Sequence, residues 1–70
     1  MNESEWAAVA EALKGFDFPA GRQDIINHVR QRDADEDTMR LVDALPRGVV
    51  YRNMVDVREL ITARSGEGRG

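Results

Sequence analysis

Phe16-Asp17-Phe18-Pro19-Ala20-Gly21 is the stretch from which the fold is read. Pro19 lacks an amide proton and pushes Phe18 into an extended backbone, so no helix runs through this point. The two rings flanking Asp17 make the connection apolar, which implies that it folds back and buries at least one of them. A helix therefore ends before Phe16 and another begins near Gly21 or Arg22. On the upstream side, Trp6, Val9, Ala10 and Leu13 recur at helical spacing and form one apolar stripe. Asn2 can cap that helix, Glu5 completes a capping-box pattern, and Gly15 sits just past its end.

Downstream, the second helix runs to about Arg32, with Ile25, Ile26 and Val29 in one narrow sector. Asp24 falls in its first turn and Arg30 and Arg32 near its last, each on the side the helix dipole favours. The acidic knot Asp33-Ala34-Asp35-Glu36-Asp37 reads as a turn followed by a helix start, with Asp35 as the cap. A third helix then carries Met39, Val42 and Leu45 inward, with Leu41 and Ala44 beside them, until Pro46 stops it. Arg47-Gly48 turns the chain, and Val49, Val50 and Tyr51 make a short extended stretch. Asn53 caps a last helix that carries Val57, Leu60 and Ile61 on one side, with Met54 and Asp56 in its first turn. The expected architecture is all-α: four short helices, helix-turn-helix-like, with the extended segment before the last.

Seventy residues make one domain. A chain of this length buries only about 60% of the surface its unfolded form exposes, so the core is thin. With no cysteine, neither a disulfide nor a thiolate site is available. The expected core draws on Trp6, Val9, Leu13, Phe18, Ile25, Ile26, Val29, Met39, Val42, Leu45, Tyr51, Val57, Leu60 and Ile61. The domain is expected over residues 1–64, followed by a disordered tail at 65–70, Ser-Gly-Glu-Gly-Arg-Gly. No internal repeat, apolar run long enough to span a membrane, or signal-peptide pattern occurs, so the expected address is the cytoplasm.

Catalytic equipment is sparse. His28 is the only histidine, with Asp24 and Arg32 four residues to either side, and reads as a boundary residue of the second helix. Ser4 and Ser65 lie at the two ends of the domain, in no context resembling a nucleophile elbow. The glycines form no phosphate loop. The acidic knot lacks the central glycine and distal glutamate of a calcium loop. No catalytic residue, metal site or cofactor is therefore expected, and the chain reads as no enzyme. Trp6 has two readings, as the largest piece of the core or as an exposed anchor at a protein interface.

Ten basic residues, nine of them arginine, stand against thirteen acidic ones, for a net charge of −3. Arg47 and Arg52 flank a wing-like turn, and with Arg22 and Arg30 they are the candidate nucleic-acid contacts. The third helix, which would enter a groove, carries Asp35, Glu36, Asp37 and Asp43 against Arg40 alone and would be repelled by phosphates. Nucleic-acid binding is thus the second reading. The first is a non-enzymatic protein-interaction or regulatory module, whose partner is another protein or a second copy. Its expected surface is one of Phe16 and Phe18, or the outer edge of the last helix around Met54 and Leu60.

Phe18-Pro19-Ala20-Gly21 followed by Asp24-Ile25-Ile26 resembles the aromatic-Pro-Ala-Ser…Asp-Leu-Val signature of a small bacterial family, domain of unknown function 2795. Leu45-Pro46, Tyr51-x-Asn53 and Asp56-Val57 are similar to that family's Leu-Pro…Tyr-x-Ser…Asp-Val ending, so the likeness covers residues 6–63. Gly21 and Asn53 stand where the family tends to have serine. All these residue types cap helices, which favours capping over a reactive hydroxyl. The resemblance implies a compact helical bacterial domain and brings no activity with it.

Overall fold

A computed structural model describes residues 2–64. The elements follow in the order α1 (Glu3–Ala12), β1 (Ala20–Gly21), α2 (Arg22–Gln31), α3 (Glu36–Asp43), β2 (Val50–Tyr51) and α4 (Met54–Arg64). The expected tail at 65–70 lies outside the described residues.

Three of the four described helices begin where the sequence supplies a side-chain acceptor. Asn2 Oδ1 accepts from the Glu5 amide at 2.8 Å while Glu5 Oε1 accepts from the Asn2 amide at 2.9 Å, a complete capping box. Asp35 Oδ1 accepts from the Thr38 amide at 2.8 Å, and this bond, with a second from the Thr38 side chain, holds the Asp35 carboxyl below its ordinary range. At α4 the Asn53 side chain accepts from the Asp56 amide at 3.0 Å. Asp56 reaches back past the cap to the Arg52 amide, also at 3.0 Å, and that bond is the main reason its pKa is lowered. Gly21 precedes α2 in extended geometry and makes no side-chain bond. The helix ends are equally local in origin. Gly15, past the end of α1, takes φ of 79°, and Asp33, past the end of α2, takes 59°, a left-handed turn that aspartate tolerates better than most residues; Gly48, in the turn before β2, takes 76°. Asp33 thus closes α2 and Asp35 opens α3, which accounts for two of the four carboxylates in the acidic knot.

The extended stretch before α4 acquires a partner that its sequence does not reveal. β2 pairs antiparallel with β1, Ala20 opposite Tyr51 and Gly21 opposite Val50, so part of the proline-bearing connection is itself a strand. The Phe18–Pro19 peptide preceding it is cis. This two-residue ladder is the only sheet among the described residues, and the domain remains mostly α-helical.

α3 packs against both α1 and α2, and the ladder ties the entrance of α2 to the entrance of α4. The core comprises Val9, Ala12, Leu13, Ile25, Ile26, Val29, Val42, Leu45, Tyr51, Val57 and Ile61. Four residues expected there, Trp6, Phe18, Met39 and Leu60, are instead only partly buried and pack against its edge. So small a domain closes over little more than one side chain per helical turn, and of its four Phe, Trp and Tyr rings Tyr51 alone is fully enclosed. Ala12 takes a core position because a methyl group suffices where α1 meets α3.

One group of bonds joins the layers. Tyr51 has no exposed surface, and its hydroxyl donates to the Pro46 carbonyl at 2.8 Å. Burial raises the pKa of that hydroxyl, with the Arg22 charge opposing. Arg22 Nε donates to the Leu45 carbonyl at 2.8 Å, and its Nη2 donates to Asp43 through the carbonyl at 2.9 Å and through Oδ1 at 3.0 Å. The segment that ends α3 leaves carbonyls without helical partners. An arginine from α2 and a tyrosine from β2 supply the missing donors. At the end of α1, Arg32 Nη2 reaches the Glu11 carbonyl at 3.4 Å, giving that terminus a cation it lacks in its own last turn.

Candidate functional site

α4 carries apolar side chains on more than its core face. Val57 and Ile61 point inward and are fully buried. Met54, Val55 and Ala63, with Arg58, Glu59 and Thr62 between them, lie along another stripe of the same helix. Spacings of three and four residues align such positions on one face. Val55 stays 61% exposed; a single exposed apolar residue is ordinary, and it gains meaning here because it adjoins Met54, Ala63 and Trp6.

Trp6 forms the opposite wall. It sits half-buried in α1, and α1 and α4 approach each other more loosely than either approaches its main neighbour. Between them runs a groove of about 630 Å³ lined by Trp6, Met54, Val55, Arg58, Glu59, Thr62 and Ala63. The Arg58 guanidinium lies 5.4 Å from the centre of the Trp6 ring and pairs with Glu3 at 3.1 Å. The indole of Trp6 thus has a cation from α4 over its ring. Both members of the ion pair are well exposed, so the pair orients Trp6 more than it stabilises the domain.

The expected surface residues do not form one patch. Met54 lines the groove. Leu60 lies over a neighbouring hollow of about 320 Å³ with Val49, Val50, Arg52, Asp56 and Glu59. Phe16 and Phe18 meet edge to face, their centres 5.0 Å apart and their planes at 84°, and Phe16 also lies against His28 at 4.9 Å. Both phenylalanines are half-buried, so the connection folds back and shields each ring in part. Phe16, but not Phe18, lines a separate hollow of about 340 Å³, where Asp17, Pro19, Asp24, Asn27 and His28 also gather. His28 Nε2 is buried there without a hydrogen-bond partner. Of the seven lining residues, Met54 alone belongs to the expected surface; Val55, Arg58, Glu59, Thr62 and Ala63 do not. Val55 lies off the Val57–Leu60–Ile61 stripe, and that displacement is the signal that finds it. Trp6 is half-buried: it packs against the edge of the core and forms the α1 wall of the groove.

The four arginines considered for nucleic acid are dispersed in their bonding. Arg22 has only 16% of its side chain exposed and is taken up by α3 carbonyls and Asp43. Arg52 pairs with Asp56 at 3.3 Å. Arg47 shares with Arg22 a hollow of about 550 Å³ lined also by Gly21, Gly48 and Val50, and Arg30 projects from the far end of α2. Among the described residues, no three His, Cys, Asp or Glu side chains gather in a metal-holding group. Nor is any described helix long and apolar enough to cross a membrane.

Compared with known proteins, residues 5–58 match the model of a family described as protein of unknown function (DUF2795). No curated protein and no solved structure matches the chain.

Proposed function

The chain belongs to the DUF2795 family, proteins of unknown function, and from that starting point we propose that it is a non-enzymatic protein-interaction or regulatory module that binds through the α1–α4 groove. One observation carries the reading: an apolar stripe of α4, with Val55 61% exposed, faces a half-buried Trp6 across an open groove. Tryptophan at the centre of a concave apolar surface is a frequent anchor of binding energy. A thin core gives association a further consequence, because any partner that binds only the folded state stabilises it. A bacterial, cytoplasmic setting is proposed with it, on the sequence expectation alone. Nucleic-acid binding by Arg22, Arg30, Arg47 and Arg52 is less well supported, since Arg22 and Arg52 already serve neighbours within the chain.

Site-directed photo-crosslinking tests the proposal. A photoreactive amino acid replaces Val55 in one variant and Gln31, on the hollow beside His28, in the other. Position 55 should capture one defined protein that position 31 does not, and the purified pair should bind. Val55→Asp should abolish that binding without changing the circular dichroism of the domain. Equal capture from both positions, or unchanged binding by Val55→Asp, overturns the reading.

A further inference from the structure

We infer that the occupant of the α1–α4 groove is an amphipathic helix that bears lysine or arginine beside its apolar stripe, an inference resting on the interaction reading above. The backbone decides its secondary structure. Trp6 of α1 and six residues of α4 line the groove, and the amide and carbonyl groups of both helices are largely bonded within the helix. An extended peptide entering the groove finds no ladder to join and loses hydration without compensation. A helical peptide brings its own backbone bonds and offers only side chains. From Met54 to Ala63 the α4 wall is about 14 Å long, so the helix that matches it has about three turns.

Charge decides the flanks. Arg58 and Glu59 are the charged residues that line the groove. Arg58 is already answered by Glu3 at 3.1 Å and by the Trp6 ring. Glu59 is exposed and has no cationic partner among the described residues, and it borders both the groove and the adjoining Leu60 hollow. The unmatched charge at the rim is therefore negative, as is the net charge of −3 on the chain. A cation on the incoming helix gains from both, whereas a carboxylate is repelled by both.

Two synthetic peptides of about three turns test this against the full chain. They share a leucine stripe and contain no tryptophan; one carries lysine on its polar positions and the other glutamate. Trp6 is the single tryptophan of the chain, so its emission reports on the groove directly. At low salt the lysine peptide should shift Trp6 emission to shorter wavelength and saturate, binding about tenfold more tightly than the glutamate peptide. Glu59→Lys should remove most of that preference, and Val55→Asp should abolish binding of both peptides while circular dichroism stays unchanged. Equal affinities that remain sensitive to Val55→Asp overturn the basic partner and leave the interaction reading standing. Failure of both peptides to perturb Trp6 overturns the helical occupant, while crosslinking at position 55 still judges the broader reading. A dimer in sedimentation that Val55→Asp dissociates assigns the groove to a second copy and also overturns the inference.

Discussion

Tyr51→Phe isolates a single bond that holds the layers together. The ring of Tyr51 is wholly buried, and phenylalanine keeps nearly all of that apolar contact. What is lost is the 2.8 Å bond from the hydroxyl to the Pro46 carbonyl, which lies at the turn that ends α3. A hydrogen bond between neutral groups contributes about 1 kcal/mol net, and a carbonyl left dry costs somewhat more, so the expected loss is about 1.5 kcal/mol. For a domain of this size each kcal/mol moves the melting temperature by about 4–8 °C, which places the expected drop near 10 °C. Urea titration followed by Trp6 fluorescence and by far-ultraviolet circular dichroism measures it, with an unchanged denaturant slope as the sign that the unfolded state is not involved.

The pH dependence supplies an independent check on the same residue. Burial raises the folded pKa of Tyr51 above its ordinary value of about 10. The unfolded chain then releases its proton first as the solution becomes alkaline. The neutral hydroxyl's contribution is intact below about pH 10 and is lost as the pH climbs through the folded pKa. The wild type should lose stability over that alkaline range, and Tyr51→Phe should lose less. As the only tyrosine, Tyr51 can be titrated by its own ultraviolet absorbance. A stability change below about 0.3 kcal/mol, together with an ordinary tyrosine titration, would show that the hydroxyl is solvated and refute the reasoning.

Arg22→Lys should cost about 2 kcal/mol, because a single ammonium cannot serve the Leu45 and Asp43 carbonyls as a guanidinium fork does; denaturant midpoints check it. Gly21→Ser should raise stability by a few tenths of a kcal/mol, about 0.3, because a Cβ there meets open space and the hydroxyl can cap α2. Gly48→Ala should lower it by about 1 kcal/mol, since φ is 76° although nothing crowds the added methyl; thermal melts of the two glycine variants should move in opposite directions. Asp35 and Asp56 have lowered folded pKa values, so the stability they contribute is present above the ordinary carboxylate range and is lost as the pH falls through the folded values. The double variant Asp35→Asn, Asp56→Asn should accordingly show a shallower loss of stability on acidification, measured by melts across that range.

Helix boundaries were legible in the sequence because the groups that make them are local. Asn2 with Glu5, Asp35 before Thr38 and Asn53 before Asp56 all act across three residues, within reach of a pattern read along the chain. The break before Pro19 follows from a ring that constrains its own neighbours, whereas α3 already ends at Asp43, short of the stop expected at Pro46. The family likeness rests on those same residues, which is why it could be noticed from the sequence and why it says more about shape than about activity.

Other features depend on residues far apart in the chain, and only packing decides them. Arg22 looked like an exposed cation near a helix start; its role at Leu45 and Asp43 exists because α2 and α3 lie side by side. The pairing of Ala20 with Tyr51 is invisible at a separation of some thirty residues when each strand is only two residues long. Trp6 could be read as core or as anchor, since its spacing with Val9 and Leu13 is the same in both cases. The sequence by itself determined where four helices start, because capping and proline constraints act within a turn. The tertiary structure alone decided which apolar residues the core left over, because exposure of Val55 and Trp6 depends on how closely α1 and α4 approach, and that is set by the whole of the packing.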